Sequence, residues 1–181
     1  KAHGLSVFIP SGVFAHTGTL SASGITVFGA GDTSVLKATE YGREALILTG
    51  SSPALSDIQL IGVATGRLST PASAKVLVEN ATNFSVENVH IQGSSSVGIM
   101  VRSSGNGHVA NNLVENTRAD SIHMVAGTHD IVVEGNRVLN SGDDGISVVT
   151  YGGAAVVNHI TIRDNEILYN KGGRGISVNM S

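Results

Sequence analysis

Charged residues make up only 14% of the 181 residues, so the acidic group Asp120, Asp143 and Asp144 stands out. Asp120 precedes the stretch SIHMV at Ser121–Val125, and Asp144 precedes GISVV at Gly145–Val149. Each lies two residues before an isoleucine, Ile122 or Ile146, and Arg174 holds the same place before Ile176. Paired carboxylates, one protonated and one ionised, can cleave a glycosidic bond. The acid gives its proton to the leaving oxygen and the base takes one from water. A single aspartate in such a place reads as a turn residue bonded to its own backbone. Asp120 and Asp144 at one register on adjacent coils, with Asp143 beside them and Arg118, His123, Lys171 and Arg174 nearby, read as a functional cluster. Stacked carboxylates repel, so partial enclosure should raise the pKa of one of them.

The neighbouring side chains can be ranked the same way. His123 alternates outward on its strand and should face the same groove, as a sugar contact. Arg174 is expected either to bind substrate or to pair with a carboxylate. Arg118 and Lys171 serve equally well as substrate ligands or as solvated turn residues. Tyr151, in TYGG after the second aspartate strand, could stack on a sugar ring. Other chemistries lack their residues. There is no GxSxG elbow, no HExxH and no cysteine, so neither a serine triad nor a zinc site is readable. No metal and no cofactor is expected. Calcium beside the aspartates would point to lyase chemistry instead.

These residues must be positioned by a repeat. The first isoleucines of GIMV, SIHMV, GISVV and GISV are Ile99, Ile122, Ile146 and Ile176, spaced by 23, 24 and 30 residues. A second strand set, HVANNLVEN from His108, DIVVEGNRVLN from Asp130 and HITIRDNEILYN from His159, runs in step. Its late apolar positions Val114, Val138 and Ile167 are 24 and 29 apart, and Ile91 lies 23 before Val114. The long last repeat carries an insertion near Tyr151–Val157. Earlier short runs, among them ITVFG, SVLKA, ALILTG, DIQLIG and KVLVEN, are punctuated by glycine, serine and asparagine. Short strands repeating without helices predict one all-β domain over residues 1–181, a right-handed parallel β-helix with coils of about 20–30 residues. Asn112, Asn136 and Asn165 share a register and read as a stacked amide ladder. GAGDTS at Gly29–Ser34 and SSGNG at Ser103–Gly107 read as turns. The four phenylalanines read as core stacking. Solenoid ends need covering, so the sequence reads as a piece of a longer chain.

Composition agrees. The chain has 23 glycines, 41% apolar residues and a formal net charge of −3. That apolar content is too high for disorder. The charge gives no electrostatic reason to expect nucleic acid or an anionic membrane as partner, and no apolar run is long enough for a membrane-spanning helix.

At the aspartates the sequence resembles the parallel β-helix polysaccharide-degrading enzymes, most closely glycoside hydrolase family 28 (polygalacturonases and relatives) and the β-helix α-1,3-glucanases. The family 28 pattern is NTD, then GDD one coil later, then GHG, then RxK. Here Asn116-Thr117-Arg118-Ala119-Asp120 stands for NTD and Gly142-Asp143-Asp144 matches GDD. Gly173-Arg174-Gly175 takes the place of GHG, and no RxK follows. Those two departures fit a neutral glucan at least as well as pectin. The resemblance implies Asp143 as general acid, with Asp120 and Asp144 holding and deprotonating the water, and inversion at the anomeric carbon. It implies a polysaccharide-degrading glycoside hydrolase acting on a polymer outside the cell, hence a secreted protein, expected to be a monomer without nucleic acid or membrane partners. A lyase or epimerase on the same scaffold, and a non-catalytic glycan-binding solenoid, are the alternatives.

Overall fold

The computed structural model describes residues 5–180. Its strands stack into three parallel faces, each coil contributing one strand to each face. The first face runs through β1 (Ser6–Phe8), the early part of β4 (Thr26–Ala38), then β6 (Ala54–Ile61), β8 (Ser85–Ser94), β10 (Gly105–Ala110), β13 (His129–Glu134) and β16 (Asn158–Arg163). The second runs through β2 (Gly12–His16), the later parts of β4, β6 and β8, then β11 (Leu113–Thr117), β14 (Arg137–Leu139) and β17 (Glu166–Leu168). The third comprises β3 (Leu20–Ser23), β5 (Leu46–Ser51), β7 (Val76–Thr82), β9 (Ile99–Arg102), β12 (Ile122–Val125), β15 (Ile146–Thr150) and β18 (Ile176–Met180). This is the parallel β-helix that the repeat predicts.

The register is the one read from the isoleucines. Ile99, Ile122, Ile146 and Ile176 pair in succession, as do Ile91, Val114, Val138 and Ile167. Like residues therefore stack on like residues about 4.8 Å apart. The inward positions of the three faces close one core, in which Val109, Val133, Val114, Val138, Ile122 and Ile146 are fully buried. Phe84 enters that core beside Gly107, where a Cβ would stand 2.1 Å from its ring. That close approach is why the position is glycine.

The sequence expectation of one second-strand set is corrected to two. HVANNLVEN, DIVVEGNRVLN and HITIRDNEILYN each bend at a left-handed residue, Asn111 (φ 56), Gly135 (φ 63) and Asp164 (φ 56). The next residue in each is the ladder asparagine. Asn112 Nδ2 donates to Asn136 Oδ1, and Asn136 Nδ2 to Asn165 Oδ1, both at 2.9 Å. Asn136 Oδ1 and Asn165 Oδ1 also accept backbone N–H groups from the preceding coil's asparagine. The amides thus satisfy corner backbone that the strands leave unpaired. GAGDTS is not a turn between coils but a bend inside β4, where the register to β6 shifts twice. Phe84 is buried, whereas Phe8 and Phe14 are 53% and 41% exposed, with Phe8 packed on Phe28 at 5.2 Å.

The outer side of the third face is also covered. Residues 62–75, including a short 3-10 turn at Pro71–Ser73, leave the third coil and lie over the neighbouring strands as a strap. Under it Ala45, Ala74, Leu77, Val97, Met100, Ala119 and Val125 form a second apolar cluster. This is why strand alternation misjudged the face. Both sides of β12 are buried, one by the core and one by the strap.

Candidate active site

The three aspartates sit in the corner that leads from the second face to the third. Asp120 lies in that corner in the fifth coil, Asp143 and Asp144 in the sixth, and Arg174 in the seventh. The backbone there stacks closely. A Cβ on Gly142 would stand 2.5 Å from the Arg118 carbonyl, and one on Gly173 would stand 2.4 Å from the Asp143 carbonyl carbon. Each carboxylate of the column binds the coil that follows it. Asp120 Oδ1 accepts the Asp144 N–H at 3.0 Å, and Asp144 Oδ1 accepts the Arg174 N–H at 2.6 Å. The column expected from the spacing of Asp120, Asp144 and Arg174 is therefore present.

The three carboxylates converge. Each presents one oxygen within 4.8 Å of the others, and no other group of three acidic or imidazole side chains does so among the described residues. Such a set suits a divalent cation or a proton-transfer pair. At Asp143 the cationic place is taken by a guanidinium, since Arg67 Nη2 donates to Asp143 Oδ2 at 2.7 Å.

Asp120 is the most fixed of the three. Its Oδ2 accepts the Ser147 hydroxyl at 2.6 Å and lies 2.6 Å from His123 Nδ1, and those two partners are 2.5 Å apart. Burial pushes the Asp120 pKa up, but hydrogen bonds from His123 and Ser147, the His123 charge and the Asp144 amide outweigh it. The result lies below the ordinary carboxylate value. Enclosure with like charges was expected to raise one of the three. For Asp120 the opposite holds, because donors surround it more closely than the other carboxylates do.

His123 faces the groove as expected, but as its floor. Its side chain is only 8% exposed, and Nδ1 is committed to Asp120 and Ser147. The groove above it is lined by Arg67, Leu68, Met100, Asp120, His123 and Tyr151. Tyr151 stands 54% exposed at its rim, at the start of the inserted loop. Arg174 lies beside Asp144, with its Nη1 4.0 Å from Asp144 Oδ2 and 3.1 Å from Ser177 Oγ. Arg118 turns the other way and donates from Nε to the Ala64 carbonyl of the strap at 2.6 Å. Lys171 is exposed in its turn, tied to the fold by its N–H to the Ser141 carbonyl. Neither joins the carboxylates. The residues that the sequence reading missed are Arg67 and Ser147 as a partner of Asp120. Ser147 pairs with His123 in the register already visible. Arg67 comes from the irregular strap, and no spacing announces it.

The model of the family Rhamnogalacturonase A/epimerase, pectate lyase-like matches residues 1–181. The chain belongs to this family. No curated protein matches the sequence. Among solved structures, this pectate lyase-like chain is similar to the catalytic domain of a GH87 α-1,3-glucanase in complex with tetrasaccharides, at 18% identity and a TM-score of 0.80, over 96% of this chain and 32% of that one. It is similar at 24% identity and a TM-score of 0.78 to the catalytic unit of a GH87 α-1,3-glucanase from Streptomyces thermodiastaticus, over 94% of this chain and 36% of that one. The A-module of a mannuronan C-5 epimerase from Azotobacter vinelandii shares the fold at 16% identity and a TM-score of 0.60, over 98% of this chain and 65% of that one. The chain thus spans about a third of the glucanase domains it matches.

Proposed function

We propose that this pectate lyase-like chain carries the catalytic centre of a polysaccharide glycoside hydrolase that inverts the anomeric carbon. The observation that carries the reading is the convergence of three carboxylates of unequal surroundings at one groove. Asp120, held below the ordinary carboxylate value by His123 and Ser147, is the ionised partner that takes a proton from water. Asp144, tied to the Arg174 amide, fixes that water from the other side. Asp143 is the most exposed of the three and gives its proton to the leaving oxygen. The glycosidic C–O bond breaks as the C–O bond to water forms. The solved GH87 glucanases include three aspartate-to-alanine variants whose substituted positions are separated by 23 and then 1 residue, as Asp120, Asp143 and Asp144 are here.

A neutral polymer suits the groove. The arginines lining its two parts, Arg67 and Arg102, each already have a carboxylate partner, Asp143 and Glu79, and the imidazole of His123 is tied to Asp120. A uronate would meet three carboxylates, with the exposed guanidinium of Arg174, 4.0 Å from Asp144 Oδ2, as the cation beside them. The epimerase neighbour keeps a lyase or epimerase as the second reading, and that chemistry needs a group to neutralise the uronate. A non-catalytic glycan-binding solenoid is the third. We further propose that the protein is secreted, because polymeric glycans lie outside the cell, and that it is a monomer; fractionation of the source and sizing of the native protein test these two points.

The deciding experiment offers pectic, α-glucan and other polysaccharides to the full-length protein and to Asp143→Asn. Reducing ends from one polymer, lost in the variant, support the hydrolase. Unsaturated product absorbing in the ultraviolet identifies a lyase, and C5 inversion without chain cleavage an epimerase. Glycan binding that survives substitution of all three aspartates identifies the solenoid.

A further inference from the structure

Asp143 differs from the other two carboxylates in what holds it. Asp120 has a hydroxyl, an imidazole and a backbone amide, and Asp144 has the Arg174 amide. The side chain of Asp143 has one polar partner among the described residues, Arg67. That partner comes from 76 residues away. Arg67 leaves the third coil and reaches the sixth, about 14 Å along the stack at about 4.8 Å per coil.

The strap that carries it is firmly anchored. Glu44 is fully buried, and its carboxylate accepts the Val63 N–H at 2.6 Å and the Ser95 N–H at 2.9 Å. Lys75, also fully buried, closes the far end by donating from Nζ to the Glu44 carbonyl at 2.9 Å. Between them the Leu68 N–H donates to the Ser95 carbonyl at 2.7 Å, and Arg118 Nε to the Ala64 carbonyl at 2.6 Å. Buried bonds on both flanks of position 67 fix where the arginine side chain starts. Only the guanidinium end, with a side chain 56% exposed, stands at the groove.

We infer that Arg67 is a positioning residue that orients Asp143 for proton donation. The inference rests on Asp143 being the general acid. The guanidinium claims Oδ2, the oxygen that remains an acceptor when the carboxyl is protonated. Oδ1 is left to carry the proton and to face the glycosidic oxygen. Asp143 takes that proton from solvent, passes it from Oδ1 to the leaving oxygen, and returns as a carboxylate to the Arg67 pair. A misplacement of about 1 Å at a reacting group can cost on the order of a hundredfold.

The test uses the full-length protein and the polymer it cuts. Arg67→Ala should lower kcat about 10–100-fold while KM stays within about twofold, the mark of an interaction used in the transition state. Arg67→Lys, which restores one donor but not the planar fork, should recover part of the loss. The deficit of Arg67→Ala should shrink on the matching 4-nitrophenyl oligosaccharide, whose leaving group needs little protonation. Thermal unfolding should barely move, since half-exposed ion pairs add little to stability. Wild-type kcat in Arg67→Ala, a raised KM with kcat unchanged, or an equal deficit on both substrates would overturn the inference. Asp143→Asn run alongside separates the two readings. If it too retains full activity, the hydrolase assignment of Asp143 has failed rather than the role of Arg67.

Discussion

The hydrogen bonds around Asp120 make one consequence measurable. Replacing His123 with phenylalanine, a ring without a donor, removes an imidazole whose Nδ1 lies 2.6 Å from Asp120 Oδ2 and leaves the Ser147 hydroxyl and the Asp144 amide in place. A hydrogen bond to a charged group contributes about 1.5–3 kcal/mol, and one pKa unit corresponds to about 1.4 kcal/mol. Asp120 retains some solvent access, so the lower end applies, and its pKa should rise by about one unit. The burial that now opposes ionisation would then have fewer donors against it. The sign follows from the proposed base role. A base works ionised, so on that proposal the acid limb of kcat/KM should move to higher pH by the same amount. Carbon-detected NMR titration of the aspartate carboxyls, with Asp120→Asn to assign the signal, reads the shift without any substrate. The stability contribution moves in parallel. A carboxylate held below its ordinary value of 3.8 stabilises the fold above that pH, and the contribution is lost as pH falls through the lowered value. An unmoved Asp120 signal and an unmoved acid limb in His123→Phe would refute the claim that these donors set its charge.

Three further outcomes are expected. Asn136→Ala removes an amide that accepts two bonds from Asn112 and donates to Asn165 and to the Val109 carbonyl, so urea unfolding should show a loss of about 3 kcal/mol. Gly173→Ala places a Cβ 2.6 Å from Asp144 Oδ1 as well as against the Asp143 backbone, so kcat should fall at least about tenfold. Lys75, whose pKa burial lowers to about 8, should make the fold more stable as pH rises from about 8 towards its unfolded 10.5, because the unfolded chain binds the proton more tightly there. Comparing urea midpoints with those of Lys75→Met across that range isolates the effect.

The fold was legible because a solenoid repeats its own evidence. Ile99, Ile122, Ile146 and Ile176 must stack once any two of them do, and the asparagine and aspartate columns follow at the same period. The division between the first and second faces escaped the reading because Asn111, Gly135 and Asp164 bend the chain without breaking its apolar alternation. The acidic cluster was legible for the same reason as the repeat. What surrounds it was not. Arg67 and the strap belong to a stretch without period, and their place is set by the buried Glu44, distant in sequence, and by the strap's own Lys75 that bonds to it. His123 misled in a related way, since outward on a strand means exposed only where nothing lies above it.

The corner column has a direction. Each carboxylate reads the backbone of the coil that follows it, Asp120 that of Asp144 and Asp144 that of Arg174. The same atoms that would handle protons are therefore mortar between courses, and the column can lengthen only through a side chain with an acceptor to pass on. Arg174 has donors alone, so the relay stops there. Grafting a second GDD corner in its place would extend the carboxylate row by one coil, and with it the stretch of groove able to hold a sugar between opposed acids.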